Sequence, residues 1–254
     1  MSSETVKGFF RCFLGTSVLW LSMSGSVANA DILGVTAGVS GWYTNYSGEA
    51  QSGGAKVDVE DDFGIDDGAF LAAYASLEHP IPLLPNIKVR YQSGDVDSNG
   101  AVFTSFRGAD LNGSVETKLD LSHLDLVLYY EVLDNILSLD LGLSAKVFNG
   151  KLEIHQVDDP SRSVTEDITA IVPLLYGATE VVIPATDLSV KGAVGFITYS
   201  DNRVYDVSLK LKQKISFVVV EAGYRVLGAE LDDVENIDFN LTLAGPFLAV
   251  GAAF

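Results

Sequence analysis

Apolar side chains recur at every second position in many strand-length segments of this chain. In 136–148, for example, leucine occupies every odd position from Leu137 to Leu143, whereas Ser138 and Asp140 occupy even positions. A period of two places alternate side chains on opposite faces of an extended strand. The same alternation runs through five other segments: 33–44, 87–92, 124–131, 205–212 and 218–226. The chain is therefore predicted to be all-β, with one apolar and one polar face on each strand.

Composition excludes several other classes of protein. The formal net charge of the 254 residues is −18, yet 48% of them are hydrophobic, which is too apolar for an acidic disordered chain. The 16 lysines and arginines are few and scattered, so a nucleic-acid-binding surface is not expected. The longest charge-free apolar stretches, 168–179 and 241–254, each contain a proline and are shorter than a membrane-spanning helix.

The first thirty residues have the pattern of a cleaved secretory signal peptide. Lys7 and Arg11 precede the apolar stretch 12–23, and the small-x-small sequence Ala28-Asn29-Ala30 predicts cleavage before Asp31. Residues 1–30 are therefore predicted to be removed, leaving 31–254 as one domain. The single cysteine, Cys12, leaves with the peptide, so disulfides cannot hold this exported domain together.

Two architectures produce alternating strands of this kind. A soluble sandwich or lipocalin-like barrel turns its apolar faces inward, whereas an outer-membrane barrel turns them toward lipid and its polar faces toward the lumen. Tyrosine and tryptophan cluster near strand ends, as interfacial girdles require. Charges of both signs also share the polar faces, which favours pairing inside a lumen. The predicted lumen network comprises Arg90, Asp125, Asp140, Lys146, Glu221 and Arg225.

Turn positions predict a transmembrane antiparallel up-and-down β-barrel of about ten strands, with eight or twelve as alternatives. An even number places both termini in the periplasm, with short turns there and the long polar connections 47–67, 94–113 and 149–167 outside. In the last strand, apolar residues change from odd positions (237–243) to even positions (248–254), which predicts a β-bulge at Gly245-Pro246. The predicted strands are 33–45, 69–78, 87–94, 114–132, 136–148, 168–182, 187–200, 204–212, 215–229 and 237–254.

The chain ends on an aromatic residue preceded by alternating apolar residues: Leu248, Val250 and Phe254. This ending resembles the C-terminal β-signal of Gram-negative outer-membrane proteins, although Ala252 is smaller than the usual residue. Three internal stretches, 128–131, 139–143 and 222–225, resemble a family of small uncharacterised proteobacterial outer-membrane β-barrel proteins. The resemblance implies a bacterial outer-membrane location and recognition by the barrel-assembly machinery during insertion, and it implies no chemistry.

Catalytic residues are sparse. The chain has three histidines, of which His79 precedes Pro80 in a predicted turn. Ser122 and His123 are adjacent on a strand and therefore point to opposite faces, so they cannot form a nucleophile–base pair. His155 is expected in an outer loop beside Asp158 and Asp159. The chain is not expected to be an enzyme, and a hydrolase at the barrel rim remains the alternative.

The acidic connections contain one weak metal-binding pattern. Asp95, Asp97 and Asn99, followed by Gly100, match the first half of an EF-hand loop, but Phe106 replaces the glutamate required at the twelfth position. A solvated turn is the default interpretation. The alternative is weak binding of Ca²⁺ or Mg²⁺, which would bridge these carboxylates to lipopolysaccharide phosphates; no other cofactor is expected.

The sequence thus predicts a small monomeric outer-membrane barrel with a structural or loop-mediated surface role. Its partners would be outer-membrane lipid and lipopolysaccharide, and no nucleic acid. A ten-stranded lumen that holds Lys88 and the six charged residues of the predicted network should be largely plugged by paired charges, because eight strands are already filled by side chains. The alternatives are a narrow pore or small-solute transport protein, the rim hydrolase, and a soluble periplasmic β-domain.

Overall fold

The computed structural model describes residues 33–81, 83–134, 136–234 and 237–254, and these form strands joined by turns. The predicted signal peptide, 1–30, lies outside the described residues. None of the described residues forms a helix long and apolar enough to cross a membrane. The strands are β1 (Gly34–Gln51), β2 (Val57–Asp58), β3 (Asp67–Glu78), β4 (Asn86–Ser93), β5 (Asp95–Val102), β6 (Ser105–Phe106), β7 (Ala109–Asp110), β8 (Gly113–Asp120), β9 (His123–Asp134), β10 (Leu137–Gln156), β11 (Ser163–Val182), β12 (Leu188–Tyr199), β13 (Asn202–Ile215), β14 (Val218–Val234) and β15 (Ile237–Ala253).

Ten of these strands close into one antiparallel barrel. Their order around the barrel is β1-β3-β4-β9-β10-β11-β12-β13-β14-β15, and β15 returns to pair with β1, with Val39 opposite Val250. Each of these ten strands therefore pairs with the strands that precede and follow it around the barrel, which leaves no open edge among the ten. The predicted up-and-down barrel of about ten strands is confirmed.

Four aromatic rings cross the middle of the lumen and divide the barrel in two. The ring centroids are 5.3 Å apart for Trp42 and Phe70, 6.5 Å for Phe70 and His123, and 4.7 Å for His123 and Phe148. We call this set the aromatic layer. The terminal half is the side that holds Gly34 and Phe254, and the distal half is the other side.

Connections at the terminal end are short. They are 79–85, 135–136, 183–187 and 216–217. The predicted end of a strand at residue 212 is wrong, because β13 continues to Ile215 before the chain reverses at Ser216, whose φ is +58°. The three connections predicted to be long lie at the distal end, where the turn 200–201 between β12 and β13 is nevertheless as short as those at the terminal end.

The long connections at the distal end are mostly strands rather than loops, which corrects the sequence prediction. β5 pairs with β8, β8 pairs with the end of β10, and β10 pairs with the start of β11, giving a four-stranded sheet beyond the barrel proper. His155 opposes Ser163 in this sheet, so it lies in a strand and not in the predicted loop. This four-stranded sheet extends the wall of the barrel at the distal end.

The inner face of the distal half is an apolar core. β2, the segment after it and the β6–β7 hairpin fold inward, so apolar side chains fill the lumen in this half. The core residues are Trp42, Tyr46, Ala50, Val57, Val59, Phe63, Ile65, Phe70, Val102, Phe106, Leu111, Val115, Leu119, Ile154, Val164, Leu227, Leu241 and Leu243. The outer face of the same strands is polar, as in a soluble sandwich.

The terminal half has the opposite polarity. Large apolar side chains point outward from its strands, and Leu175 and Leu143, for example, are 66% and 61% exposed. Others on this outward band are Val39, Leu71, Tyr91, Leu124, Leu141, Leu209, Leu211, Val220, Tyr224, Leu248 and Val250. The charged side chains of these strands point into the lumen instead. This half therefore has the inverted polarity typical of outer-membrane barrels.

The last strand passes from one half to the other without a bulge at Gly245-Pro246. β15 keeps one register with both neighbours through this region, since Trp42 opposes Phe247 and Asn45 opposes Ala244. Odd residues face inward along the whole strand, and in the distal half those are apolar, as Leu241 and Leu243 are. The apolar positions change parity because the barrel reverses its polarity, so the predicted bulge is wrong.

Candidate functional site

A cluster of ion pairs lies in the lumen directly on the terminal side of the aromatic layer. The Arg225 guanidinium donates two hydrogen bonds to the Asp206 carboxylate, from Nε to Oδ1 at 2.8 Å and from Nη2 to Oδ2 at 2.7 Å. It also donates to Oε1 of Gln92 at 2.7 Å, and its Cζ atom lies 4.6 Å from the centre of the Trp42 ring. Bidentate pairing with a carboxylate fixes the position of the arginine.

Lys146 links this arginine to a second carboxylate. Its Nζ lies 2.6 Å from Asp206 Oδ2 and donates to Asp125 Oδ1 at 2.8 Å. Arg90 Nε lies 3.3 Å from the other oxygen of Asp125. Three cations thus share two carboxylates in the middle of the lumen. Removing one member of such a buried network leaves its partners charged and unpaired, which is costly in free energy.

Two smaller groups of ion pairs lie nearer the terminal end. Lys191 donates to Asp140 at 3.1 Å and approaches Glu180 at 3.5 Å, and Lys212 donates to Glu180 at 3.1 Å. Separately, Lys210 lies 2.7 Å from Glu221. These pairs line the wall of the barrel rather than its axis, so they leave an open space between them.

That space is a polar cavity of about 370 Å³, which opens at the terminal end, where Gly34 and Phe254 lie on its wall. Small-molecule sites in proteins begin at about 300 Å³. At the aromatic layer, a gap of about 10 Å³ between Trp42, Phe70 and Arg225 is room for at most one water. The cavity is therefore a cup, open at one end and closed at the layer.

The wall of the cup carries more positive than negative charge. Its cations are Lys88, Arg90, Lys146, Lys191, Lys210, Lys212, Lys214 and Arg225. Its carboxylates are Glu78, Asp125, Asp140, Asp206 and Glu221, and Glu180 lies behind Lys191 and Lys212. This excess of cations contrasts with the net charge of −18 of the whole chain.

Two polar groups on the wall of the cup lack a partner. Among the described residues, no carboxylate lies within ion-pair distance of the Lys88 ammonium. Lys210, Arg90 and Lys191 repel this ammonium, whereas Glu221 attracts it from a longer distance. The buried hydroxyl of Tyr74 has no hydrogen-bond partner in the described part of the chain. Gly38 and Gly251 make room for this hydroxyl, because a Cβ atom on either would lie within 2.6 or 2.7 Å of it.

The structure brings the predicted lumen residues into three groups. Arg90, Asp125, Lys146 and Arg225 belong to the central cluster, whereas Asp140 pairs with Lys191 and Glu221 pairs with Lys210. Sequence reasoning missed the carboxylate at the centre, Asp206. The signal was present, because this residue alternates with the apolar Tyr205 and Val207 on the polar face of its strand.

The half EF-hand residues lie in a regular strand. Asp95, Asp97 and Asn99 occupy alternate positions of β5, on the outer face of the distal sheet, opposite Asp120, Lys118 and Glu116 of β8. Alternate side chains of a strand are about 7 Å apart, whereas the ligands of an EF-hand curl around one ion. No group of three or more potential ligands among His, Cys, Asp and Glu converges in the described ranges. Weak ion binding here stays a prediction.

The three histidines lie far apart. His79 Nε2 lies 3.1 Å from the Pro85 carbonyl in a terminal turn, and His123 is buried in the aromatic layer with Nδ1 2.8 Å from the Leu121 carbonyl. His155 lies on the outer face of the distal sheet, directly between Ser163 of β11 and Glu116 of β8. Within the described chain no hydrogen bond joins these three residues.

The predicted assembly signal lies on the outward band of the terminal half. Leu248 and Val250 are exposed, and β15 pairs with β1 and β14 on its two sides. The Phe254 ring stacks on Phe217 at 6.1 Å, and its backbone N–H donates to the Val35 carbonyl at 2.8 Å. Recognition of this strand by an assembly machine stays a prediction.

Comparisons with known proteins find only structural likeness. No family model and no curated protein matches the chain. Among solved structures, the outer membrane protease OmpT from Escherichia coli is 11% identical, with 87% of this chain and 97% of that chain covered at a TM-score of 0.49. The translocator domain of autotransporter NalP from Neisseria meningitidis is 15% identical, with 90% of each chain covered at 0.40. Ail of Yersinia pestis is 13% identical, with 87% and 99% covered at 0.34.

Proposed function

We propose that this chain is an integral protein of the bacterial outer membrane whose lumen is blocked and whose distal half carries a role at the cell surface. The observation that carries the proposal is the reversal of polarity along single strands. On β10, the outward residues Leu137, Leu141 and Leu143 are apolar, whereas Lys151, Glu153 and His155 on the same face are polar. The first part of this outward face suits lipid, and the second part suits water.

The orientation follows from the two ends of the barrel. The first barrel strand begins and the last one ends on the side of the turns 183–187 and 216–217, and this side is the periplasmic one in single-chain bacterial barrels. The distal half then projects outside the cell as a folded extension. Six cations lie there among many carboxylates, so the exposed surface is acidic: Lys56, Arg107, Lys118, Lys151, Arg162 and Arg203. Such a surface favours contact with lipopolysaccharide through divalent cations.

The blocked lumen supports a surface role over transport. The aromatic layer and the ion pairs of Arg225 fill the middle of the barrel, and an apolar core fills the distal half. A conducting path would need both to be displaced. A narrow pore is therefore the less favoured function.

Two measurements on the purified full-length mature chain test this proposal. Refolded in detergent, it should migrate faster on a gel unboiled than boiled, as closed barrels do, and it should fractionate with membranes. In planar lipid bilayers it should give no stable conductance. Recovery without detergent would contradict the membrane location, and stable, selective single-channel currents would establish the narrow pore instead.

A matched pair of variants makes the absence of conductance informative. Trp42→Ala combined with Phe70→Ala removes two rings of the aromatic layer but leaves the rest of the distal core in place, so this double variant should also give no stable conductance. Leu71→Ala is the control, because Leu71 neighbours Phe70 in β3 but is 71% exposed on the outward band. A stable current through the double variant and not through Leu71→Ala would mean that the aromatic layer alone blocks the lumen.

One observation favours a second function, hydrolysis at the distal rim. Strand pairing sets Glu116, His155 and Ser163 side by side on one face of three neighbouring strands. Directly opposed residues of a sheet have Cβ atoms about 5 Å apart, which is within reach of the acid–base–nucleophile order of a serine hydrolase.

A fluorophosphonate probe tests this second function, because it labels only activated serines. Labelling of the folded barrel that is lost in Ser163→Ala and in His155→Gln would establish the hydrolase. The control is Ser161→Ala, in the adjacent connection, which should leave any labelling unchanged. Absence of labelling at Ser163 would remove this function and leave the surface role standing.

A further inference from the structure

The cup in the terminal half is polar, enclosed and positively charged, and nothing in the proposed surface role uses it. Lys88 is its central feature. This ammonium has no carboxylate within ion-pair distance among the described residues, and Arg90, Lys191 and Lys210 line the same cavity. A charge without a partner in an enclosed site is costly in free energy. A bound anion would remove that cost.

The neighbouring wall supplies further donors for such an anion. Lys88 and Arg90 project from one face of β4, and Tyr74 lies directly opposite Arg90 on β3. The Tyr74 hydroxyl is buried and has no hydrogen-bond partner within the described ranges. Lys210 lines the cavity from β13, where its Nζ lies 2.7 Å from Glu221. Ammonium, guanidinium and hydroxyl groups are the donors that bind oxyanions.

The size and access of the cup define the class of ligand. A cavity of about 370 Å³ holds a small molecule and no macromolecule, and its opening lies at the terminal end. The aromatic layer prevents passage to the other side. The geometry is that of a dead-end binding site, not of a channel.

We propose that the cup binds a small phosphate-class oxyanion from the side of the chain termini, with Lys88 as the principal cation. Arg90, Lys210 and the Tyr74 hydroxyl complete the site. The ligand enters and leaves by the same opening. Binding neutralises the excess charge of the wall and stabilises the barrel. This proposal does not depend on the surface role, because the lumen is blocked whether or not an anion is bound.

Thermal unfolding of the full mature chain, folded in detergent at constant ionic strength, tests the proposal with inorganic phosphate as the probe. The melting temperature should rise with phosphate and saturate, because the ligand binds only the folded barrel. Sulfate, glycerol 3-phosphate and citrate distinguish a free oxyanion, a phosphate ester and a carboxylate as the preferred form. Chloride at equal ionic strength should have no saturable effect.

Three variants assign the effect to the cup. Lys88→Met should weaken the apparent phosphate affinity by about tenfold or more, since it removes a charge-assisted hydrogen bond. It should melt at the same or a higher temperature than the wild type without phosphate, because the repulsion is gone. Lys88→Gln should behave in the same way, which guards against a packing artefact of methionine.

The matched control is Lys118→Met, a lysine on the outer face of the distal sheet. Its phosphate response should equal that of the wild type within about twofold. The proposal is overturned if phosphate produces no saturable rise, if Lys88→Met responds as the wild type does, or if Lys118→Met loses the response equally. A lower melting temperature of Lys88→Met without phosphate would show that Lys88 already has a partner.

Discussion

The two halves of this barrel are built from the same strands but with opposite polarity. In the terminal half, charged side chains face the lumen and leucines face outward; in the distal half, apolar residues fill the interior and the charges face outward. The alternation of apolar and polar residues does not stop at the boundary, but it changes which face is apolar. The comparison teaches that the solvent around each half, lipid or water, decides what its inner face contains.

The central ion pairs should give the largest difference between the halves. Asp206→Asn leaves Arg225 and Lys146 without one of their carboxylates inside the lumen, so the free energy of unfolding should fall by about 3–5 kcal/mol. Glu153→Gln breaks the exposed pair with Lys151 in the distal half and should change stability far less, because solvent screens exposed pairs. Urea unfolding of both variants in lipid vesicles measures the difference. Equal losses would mean that the lumen is hydrated like a surface.

The core of the distal half should respond to loss of volume. Ile154 is fully buried, so Ile154→Ala should reduce the free energy of unfolding by about 2–5 kcal/mol through lost burial and the cavity left behind. Val157 lies just beyond the end of the same strand and is 51% exposed, so Val157→Ala should change stability by less than about 0.5 kcal/mol. The same unfolding assay compares them, and a small effect of Ile154→Ala would argue against a packed distal core.

A charge added to the outward face should be tolerated in one half only. Leu143→Arg places a guanidinium on the lipid-facing band and should cost about 2–4 kcal/mol. Thr165→Arg places it on the outer face of β11 in the distal half, where Glu153 lies opposite, and should be neutral within about 0.5 kcal/mol. Equal losses in the free energy of unfolding at the two positions would mean that both side chains face the same solvent.

The smallest effect concerns an exposed charge of the distal end. The Ser161 hydroxyl and backbone N–H donate to the Asp159 carboxylate and lower its pKa below the ordinary value. Ser161→Ala should therefore raise the pKa of Asp159 toward that value, as NMR titration would detect. Because the folded-state pKa is lowered, the stabilisation is present above the unfolded pKa and lost as pH falls through the folded one. An unchanged pKa would mean that the hydroxyl bond is absent in solution.

Strand number and the closed barrel could be predicted because alternation and turns are local properties of the chain. The reversal of polarity could not, although its trace was visible. In β15 the apolar residues move from Leu241 and Leu243 to Leu248 and Val250, and a bulge explains that change of parity equally well without a structure. Only the register against β1 separates the two explanations.

The site was predictable in part for the same reason. Parity shows that Arg90, Asp125 and Arg225 share the lumen, but the partners in each ion pair depend on register between strands that are distant in sequence. Arg225 of β14 donates hydrogen bonds to Asp206 of the preceding strand, β13, and to Gln92 of β4, which lies across the lumen. Asp95 and Asp97 illustrate the converse, since their alternation fits a strand with a polar outer face as well as the start of a metal-binding loop, and the structure places them in β5.

The reversal of polarity can be measured along one strand. Cys12 is the single cysteine and lies in the predicted signal peptide, so the mature barrel accepts spin labels at chosen positions. Labels at Leu139, Leu141 and Leu143 of β10, in lipid vesicles, should be accessible to oxygen and shielded from a water-soluble nickel complex. Labels at Lys151, Glu153 and His155, on the same face, should show the reverse. Uniform accessibility along β10 would contradict the account.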